Sequence, residues 1–207
     1  MANYKKQDHW QLKARSEGYP ARSVYKLKEM DEKFGLVKPR FKILDLGAAP
    51  GSWSLYILRK TPGAFLVSAD LSPLSREFDS GLFSGENFSF IQGDFTDPII
   101  RDAIVSKQPY NLIISDAAPA TTGNRVVDTS RSLELAGTAA SYAETALAAG
   151  GSLVIKVFQG GDTSELLKRL GFLFKTAKSY KPQACRSDSF ETYYLGLEFK
   201  EQIARSK

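Results

Sequence analysis

Apolar runs of β character alternate along this chain with stretches whose apolar positions recur at helical spacing. The runs occupy residues 42–46, 64–69, 88–92, 110–115 and 152–158, followed by 172–177 and 192–198. Between them, residues 52–59, 98–107, 129–149 and 164–170 read as helices. Short apolar strands separated by helices are the pattern of parallel strands covered on both faces. The last two strands leave almost no room for a helix between them and predict an antiparallel hairpin at one edge. The fold class expected is therefore α/β, a Rossmann-like, mostly parallel seven-stranded sheet with helices on both faces. Ahead of the sheet, residues 23–34 predict an amphipathic helix, with Val24, Leu27, Met30, Asp31 and Phe34 on one stripe. Ser23 is placed as its N-cap and Gly35 as its stop.

Composition changes this picture little. At 207 residues, with 43% hydrophobic and 25% charged positions, the chain suits one domain over 20–200. A loosely held basic arm is expected over 1–19 and a polar tail over 201–207. No apolar run approaches the roughly 20 residues that span a bilayer, and no signal-peptide core precedes the domain. A cytoplasmic monomer without membrane contact is the expectation. The single cysteine, Cys185, and single histidine, His9, exclude an internal disulfide and leave no basis for a His- or Cys-based metal site or a His-dependent triad. Chemistry must run on Lys, Asp, Glu, Tyr or a cofactor. The net charge of +5 shifts the odds modestly toward a polyanionic partner.

Asp45-Leu-Gly-Ala-Ala-Pro-Gly-Ser-Trp53 follows the first strand and opens a helix. Gly47 and Gly51 allow a ligand to approach the backbone there. The loop lacks the glycine spacing and the Lys-Ser/Thr of a diphosphate cradle, and Asp45 would repel one. Asp70 ends the second strand, where a carboxylate can accept bonds from ribose hydroxyls. Asp94 and Asp116 end the third and fourth. Carboxylates at four successive strand ends suit a cationic nucleoside such as S-adenosylmethionine better than NAD.

At these residues the chain resembles the FtsJ/RrmJ family of RNA ribose 2′-O-methyltransferases. The likeness continues through Gln92-Gly-Asp-Phe, Ser115-Asp-Ala-Ala-Pro, Val154-Ile-Lys-Val-Phe-Gln-Gly160 and Lys181-Pro-Gln-Ala-Cys-Arg-Ser-Asp-Ser-Phe-Glu191-Thr-Tyr, in order. It implies S-adenosylmethionine as cofactor, with Gly51 and Trp53 near its methionine part, Asp70 on the ribose, Asp94 on the adenine amine and Asp116 on the methionine amine. It also implies a catalytic tetrad of Lys26, Asp116, Lys156 and Glu191, with Lys156 as proton acceptor. Ala120 stands where the family often has asparagine.

Each tetrad position has its own local reading. Lys156 interrupts Leu-Val-Ile-Lys-Val-Phe, a strand expected to be buried, where an unpartnered lysine is costly. Taken alone, Lys26 reads as a surface lysine, Glu191 as an edge carboxylate and Asp116 as a turn cap. In-line transfer to a ribose hydroxyl needs alignment of oxygen, methyl and sulfur, and removal of a proton. Burial, Lys26 and the sulfonium would favour neutral Lys156; Asp116 and Glu191 favour its charged form.

Pyrimidine carbon-5 methylation needs a cysteine nucleophile, and nothing around Cys185 has that character. Exocyclic amine methylation uses an Asp/Asn-Pro-Pro-aromatic loop; Asp116-Ala-Ala-Pro-Ala has no aromatic. Lys5, Lys6, Lys13, Arg15 and Arg22, interleaved with Tyr4, Trp10 and Tyr19, suggest contacts to single-stranded RNA. Residues 121–128 read as a polar substrate-side loop. The resemblance implies a uridine ribose of large-subunit ribosomal RNA as target, free or in the ribosomal subunit. A transfer-RNA ribose methyltransferase and a non-catalytic RNA-binding or assembly factor are the alternatives.

Overall fold

The computed structural model of the chain describes residues 9–160, 163–186 and 189–200. Helices α1 (His9–Ser16) and α2 (Val24–Phe34) come first. The order then runs β1 (Lys42–Leu46), α3 (Ser52–Lys60), β2 (Phe65–Asp70), β3 (Phe88–Gln92), α4 (Pro98–Val105), β4 (Tyr110–Ser115) and α5 (Arg125–Ala146). It closes with β5 (Leu147–Phe158), α6 (Ser164–Leu173), β6 (Phe174–Tyr180) and β7 (Glu191–Phe199). Among the described residues the strands form one sheet in the order β3-β2-β1-β4-β5-β7-β6. β1 to β5 pair in parallel, and β7 runs antiparallel to both its neighbours. The terminal hairpin expected from the sequence is present. Its second strand lies inside, so β6 rather than β7 forms the edge.

Strand periodicity divides the core into two layers. Ile43, Leu66, Leu112, Ile114, Val154 and Leu195 face α1, α2 and α3. Leu44, Val67, Ile113, Leu153, Ile155 and Val157 face α4, α5 and α6. Successive side chains on a strand point to opposite faces, so Asp45 and Lys156 share a side with Ile43 and Val154. Both polar groups are thereby directed into the layer that contains α2 and α3.

Two local expectations are corrected. Ser23 makes no side-chain cap bond and sits in helical backbone geometry, because three-residue turns starting at Ala21 already lead into α2. Gly35, at φ 62°, closes the helix as expected. Of the segment expected as a loose arm, the described part forms α1 and a packed turn. Ala14 and Tyr19 are buried in the core, and Trp10 packs 5.0 Å from the Tyr25 ring. Trp10 and Tyr19 are thus held by packing, which is worth more to a large aromatic surface than solvent exposure. Lys5, Lys6 and Tyr4, and the tail over 201–207, lie outside the described residues.

Asp31, on the apolar stripe of α2, is buried and accepts bonds from Val37 N (2.8 Å), Tyr56 Oη (2.6 Å) and Lys60 Nζ. It fixes α2 against α3.

Candidate active site

The strand order reverses between β1 and β4, and the loops leaving their carboxyl ends diverge into a cleft, the usual ligand position in an open α/β sheet. A cavity of about 760 Å³ opens there. Its lining includes Gly47, Asp70, Asp94 and Asp116 from four strand ends, and Leu71, Phe95 and Ala117–Ala120 from the loops. Arg131, Glu134, Leu135 and Thr138, spaced as one face of α5, complete the wall. Counting these side chains, four carboxylates face one arginine.

The carboxylates are held in place by the backbone. Asp70 accepts from Ala49 N at 2.9 Å and Ser72 N at 2.8 Å. Asp94 accepts from Thr96 N at 2.8 Å and its hydroxyl at 2.7 Å. Gly47, at φ 73°, lets the β1 loop pass against the β4 loop: an added Cβ would lie 2.6 Å from Ala117 Cβ. Gly47→Ala is expected to destabilise the protein by about 1–3 kcal/mol through strain and clash. Gly137→Ala, in α5 with open space around it, should instead be neutral or slightly stabilising. Urea unfolding midpoints of the two variants check this.

Gly51 and Trp53 serve the cleft indirectly. Gly51 is not part of the large cavity's lining. At φ 105° it starts α3, with an added Cβ 2.9 Å from the Phe83 ring. Trp53 is buried, donates from Nε1 to Ser23 O at 2.8 Å and lies 6.0 Å from the Tyr193 ring. It walls a small recess together with Ser23, Asp45, Gly47 and Asp116.

Asp45 is the unusual group of that recess. It is 1% exposed; Oδ2 accepts from Ser54 Oγ at 2.7 Å, while Oδ1 has no partner. Burial pushes its carboxyl up to about 7, against the Ser54 bond, with Asp116 and Asp70 adding to the rise. The folded protein therefore keeps this proton to a higher pH than the unfolded chain. The resulting stability is present at low pH and is lost as pH rises through about 7. Relative to Asp45→Asn, wild-type stability should fall by about 1.4 kcal/mol per pH unit from the normal carboxylate range up to that point. Denaturation of both proteins across pH 4.5–8 (roughly the span of the shift) tests it; parallel profiles would refute it.

The four residues of the expected tetrad meet. Lys156 is 8% exposed near the carboxyl end of β5. Its ammonium donates to the backbone carbonyl of Asp116 and lies 3.0 Å from Asp116 Oδ1. Lys26, also 8% exposed, donates to the Glu191 carboxylate at 2.8 Å. Sheet register brings the two pairs together. Tyr193 sits directly across from Lys156, and Glu191, two residues earlier on β7, falls on the same face.

Tyr193 joins the pairs and was not singled out from the sequence. Its hydroxyl donates to Asp116 Oδ1 at 2.6 Å, and Lys26 Nζ lies 5.9 Å from its ring centroid. The available signal was its two-residue offset from Glu191, which is meaningful only once the strand is known to be buried. Burial, then the Asp116 and Glu191 charges, raise the phenol far above its ordinary range, so it remains a donor.

Burial alone would raise the Asp116 carboxyl, but Lys156, Lys26 and the Tyr193 bond outweigh it and hold it below the usual range. Burial likewise works against the Lys26 ammonium, and the Asp116 and Glu191 carboxylates reverse the effect, so its pKa is raised. Cys185 is buried nearby, its thiol pushed up to about 12 by burial and by Glu191. A thiol so held is a poor nucleophile.

The loop over 121–128 is tied down. Asp128 accepts from Thr122 N and Oγ1 at 2.8 and 2.9 Å, and from Gly123 N at 3.2 Å. Asn124 caps α5, which begins at Arg125, four residues earlier than its apolar periodicity indicated.

A sheet with one reversed strand and an acidic cleft at its switch point defines a methyltransferase architecture. The chain belongs to the FtsJ-like methyltransferase family, whose model matches residues 19–199. Among relatives, a Ribosomal RNA large subunit methyltransferase E of Treponema denticola is 52% identical over 95% of this chain and 97% of its own length. One of Borreliella afzelii is 45% identical over 93% and 98%. A crystal structure described as a ribosomal RNA methyltransferase of Plasmodium falciparum superposes with a TM-score of 0.72. It is 27% identical and covers 87% of this chain and 98% of that one. A fibrillarin complex, at 19% identity and a TM-score of 0.59, shares the fold.

Proposed function

We propose that this protein transfers a methyl group from S-adenosylmethionine to a ribose 2′-hydroxyl of RNA, its target a uridine of large-subunit ribosomal RNA. The observation that carries the reading is Lys156. It is a buried lysine in a central strand of the sheet, anchored by Asp116 and set beside the Lys26–Glu191 pair. No packing role accounts for such a charge, because a hydrophobic residue would fill the same space at lower cost. The relatives' names, and the near-complete coverage of their length, support the ribosomal substrate.

The residues present fit the donor. Asp70 and Asp94 offer acceptors for ribose hydroxyls and an adenine amine. Leu71, Phe95 and Leu135 offer apolar walls. Asp116 favours a cationic amine, with Asp45 in the recess behind it. Gly47 allows close approach, while Gly51 and Trp53 shape the loop from behind. When bound, S-adenosylmethionine supplies an electrophilic methyl on a positively charged sulfur. The protein's own part is alignment and proton removal. Lys156 Nζ receives the hydroxyl proton, Asp116 fixes the direction of that amine, and Lys26 with Glu191 holds the oxygen's surroundings dry and balanced in charge. All four groups come from one chain, in keeping with a monomer, and a ribosomal substrate is in keeping with a cytoplasmic enzyme.

The test is transfer from methyl-labelled S-adenosylmethionine to RNA or large ribosomal subunits from cells lacking the protein. Methylation of the 2′-oxygen blocks its attack on the adjacent phosphodiester, so the label should survive alkaline hydrolysis in a dinucleotide. Label released in mononucleotides, or no transfer to any RNA, would overturn the assignment.

A further inference from the structure

The recess behind the cleft contains a carboxyl whose bonding the fold leaves half complete. Asp45, on β1, is buried beside Ser54 of α3 and Ser68 of β2. Its Oδ2 is taken by Ser54 Oγ, which also lies 3.0 Å from Ser68 Oγ, while Oδ1 has no partner. A buried oxygen without a donor is costly and uncommon, and a ligand can supply the missing bond. The recess that Asp45 lines measures about 10 Å³, room for one group the size of a water molecule or an ammonium. Gly47, Ala49 and Asp116 line both this recess and the large cleft, so the two adjoin.

We propose that Asp45 is a second anchor for the amine of the methyl donor, protonated in the free protein and ionised in the complex, so that donor binding expels one proton. The inference rests on the S-adenosylmethionine reading of the cleft and adds a proton exchange to it.

The surroundings of Asp45 favour that exchange. The charges acting on it are those of Asp116, beyond β4, and Asp70, at the end of β2; together with burial they hold its proton on to about 7. From α3 it receives only the uncharged Ser54 hydroxyl among these influences. Lysines of the neighbouring elements are committed elsewhere, Lys26 of α2 to Glu191 and Lys156 of β5 to Asp116. With an ammonium in the recess, Asp45 gains a donor for Oδ1 and a positive charge that offsets Asp116. Both changes favour its carboxylate form. The O–H bond of the Asp45 carboxyl breaks and the proton passes to solvent, while the amine keeps its own three.

The experiment titrates the full chain with S-adenosylmethionine in a calorimeter, in two buffers of different ionisation enthalpy, from about pH 5.5 to 8. The difference in heat between the buffers counts protons. Wild type is expected to release about 0.9 proton per donor near pH 6 and much less near pH 8, with affinity rising severalfold per pH unit up to about 7. S-adenosylhomocysteine, which keeps the amine without the sulfonium, should release as much. 5′-Methylthioadenosine, which lacks the amino-acid part, should release none. Asp45→Asn should bind S-adenosylmethionine with neither proton release near pH 6 nor a pH-dependent affinity there. Wild-type binding without release near pH 6, or release that persists in Asp45→Asn, overturns the inference and leaves the donor reading standing. If Asp45→Asn does not fold, equal release by S-adenosylhomocysteine and 5′-methylthioadenosine on wild type overturns it. No binding of S-adenosylmethionine at any pH removes the donor reading itself, and the inference with it.

Discussion

Lys156→Met is expected to lower single-turnover methyl transfer by about two to four powers of ten, the usual contribution of a positioned proton acceptor. Methionine keeps the apolar stem within β5 and removes only the ammonium, so the strand between Ile155 and Val157 should stay packed. Asp116 retains the Tyr193 hydroxyl as a donor at 2.6 Å, and the cleft keeps Asp70 and Asp94. Donor affinity should therefore change much less than the rate. Lys156→Arg separates the two roles open to this side chain. A guanidinium can orient an oxygen but gives up no proton in the accessible pH range, and its planar fork does not fit a point contact. Near-wild-type transfer by Lys156→Arg would show that charge alone is needed at this position. With chemistry rate-limiting, wild-type transfer should climb with pH; a flat profile would likewise remove the proton-acceptor role.

Asp116→Ala should be the most destabilising change at the site, by about 3–5 kcal/mol, because it strands a buried ammonium. Lys156 is 8% exposed and would keep only the backbone carbonyl of residue 116. The Tyr193 hydroxyl, wholly buried, would lose its acceptor as well. For a protein of this size that loss corresponds to a fall in Tm of roughly 6–20 °C. Because Asp116 titrates below the ordinary carboxylate range, its stabilisation is complete at neutral pH. It is lost only as pH falls through that lowered value. Asp116→Asn combined with Lys156→Met should recover most of the stability, since no orphaned charge remains, while transfer stays abolished. A double variant as unstable as Asp116→Ala would mean that the pair is not what the fold loses.

Some of this arrangement was legible before any coordinates. Continuous apolar runs located β1 to β4 to within a residue, because a strand buried on both faces leaves few alternatives, whereas β5 starts at Leu147, five residues ahead of its run, in a stretch whose small residues read as the end of a helix. The lysine within Val154-Ile-Lys-Val was conspicuous for the same reason. Carboxylates at strand ends marked the cleft, since parallel strands place their carboxyl ends on one side of the sheet. Less visible was α1. Its apolar contribution rests on Ala14 and partly buried aromatics, too sparse a pattern to signal a helix against a basic background. Trp10 and Tyr19 were legible as aromatics but not as packed ones, and only the neighbouring Tyr25, Lys28 and Arg59 decide that.

By itself, then, the sequence determined the alternation of elements, the acidic strand ends and the improbability of Lys156 as a packing residue, all properties of local period and residue type. Tertiary structure decided which charges are partners. Lys26 and Glu191 are 165 positions apart, and no local pattern joins them. They meet because Asp31 fixes α2 to α3 and because β7 enters antiparallel beside β5, in a register that sets Tyr193 opposite Lys156. That meeting sets the Lys26–Glu191 pair beside the Asp116–Lys156 pair, with Tyr193 between them. Electrostatic fields depend on distance through space, which a linear order of residues does not contain.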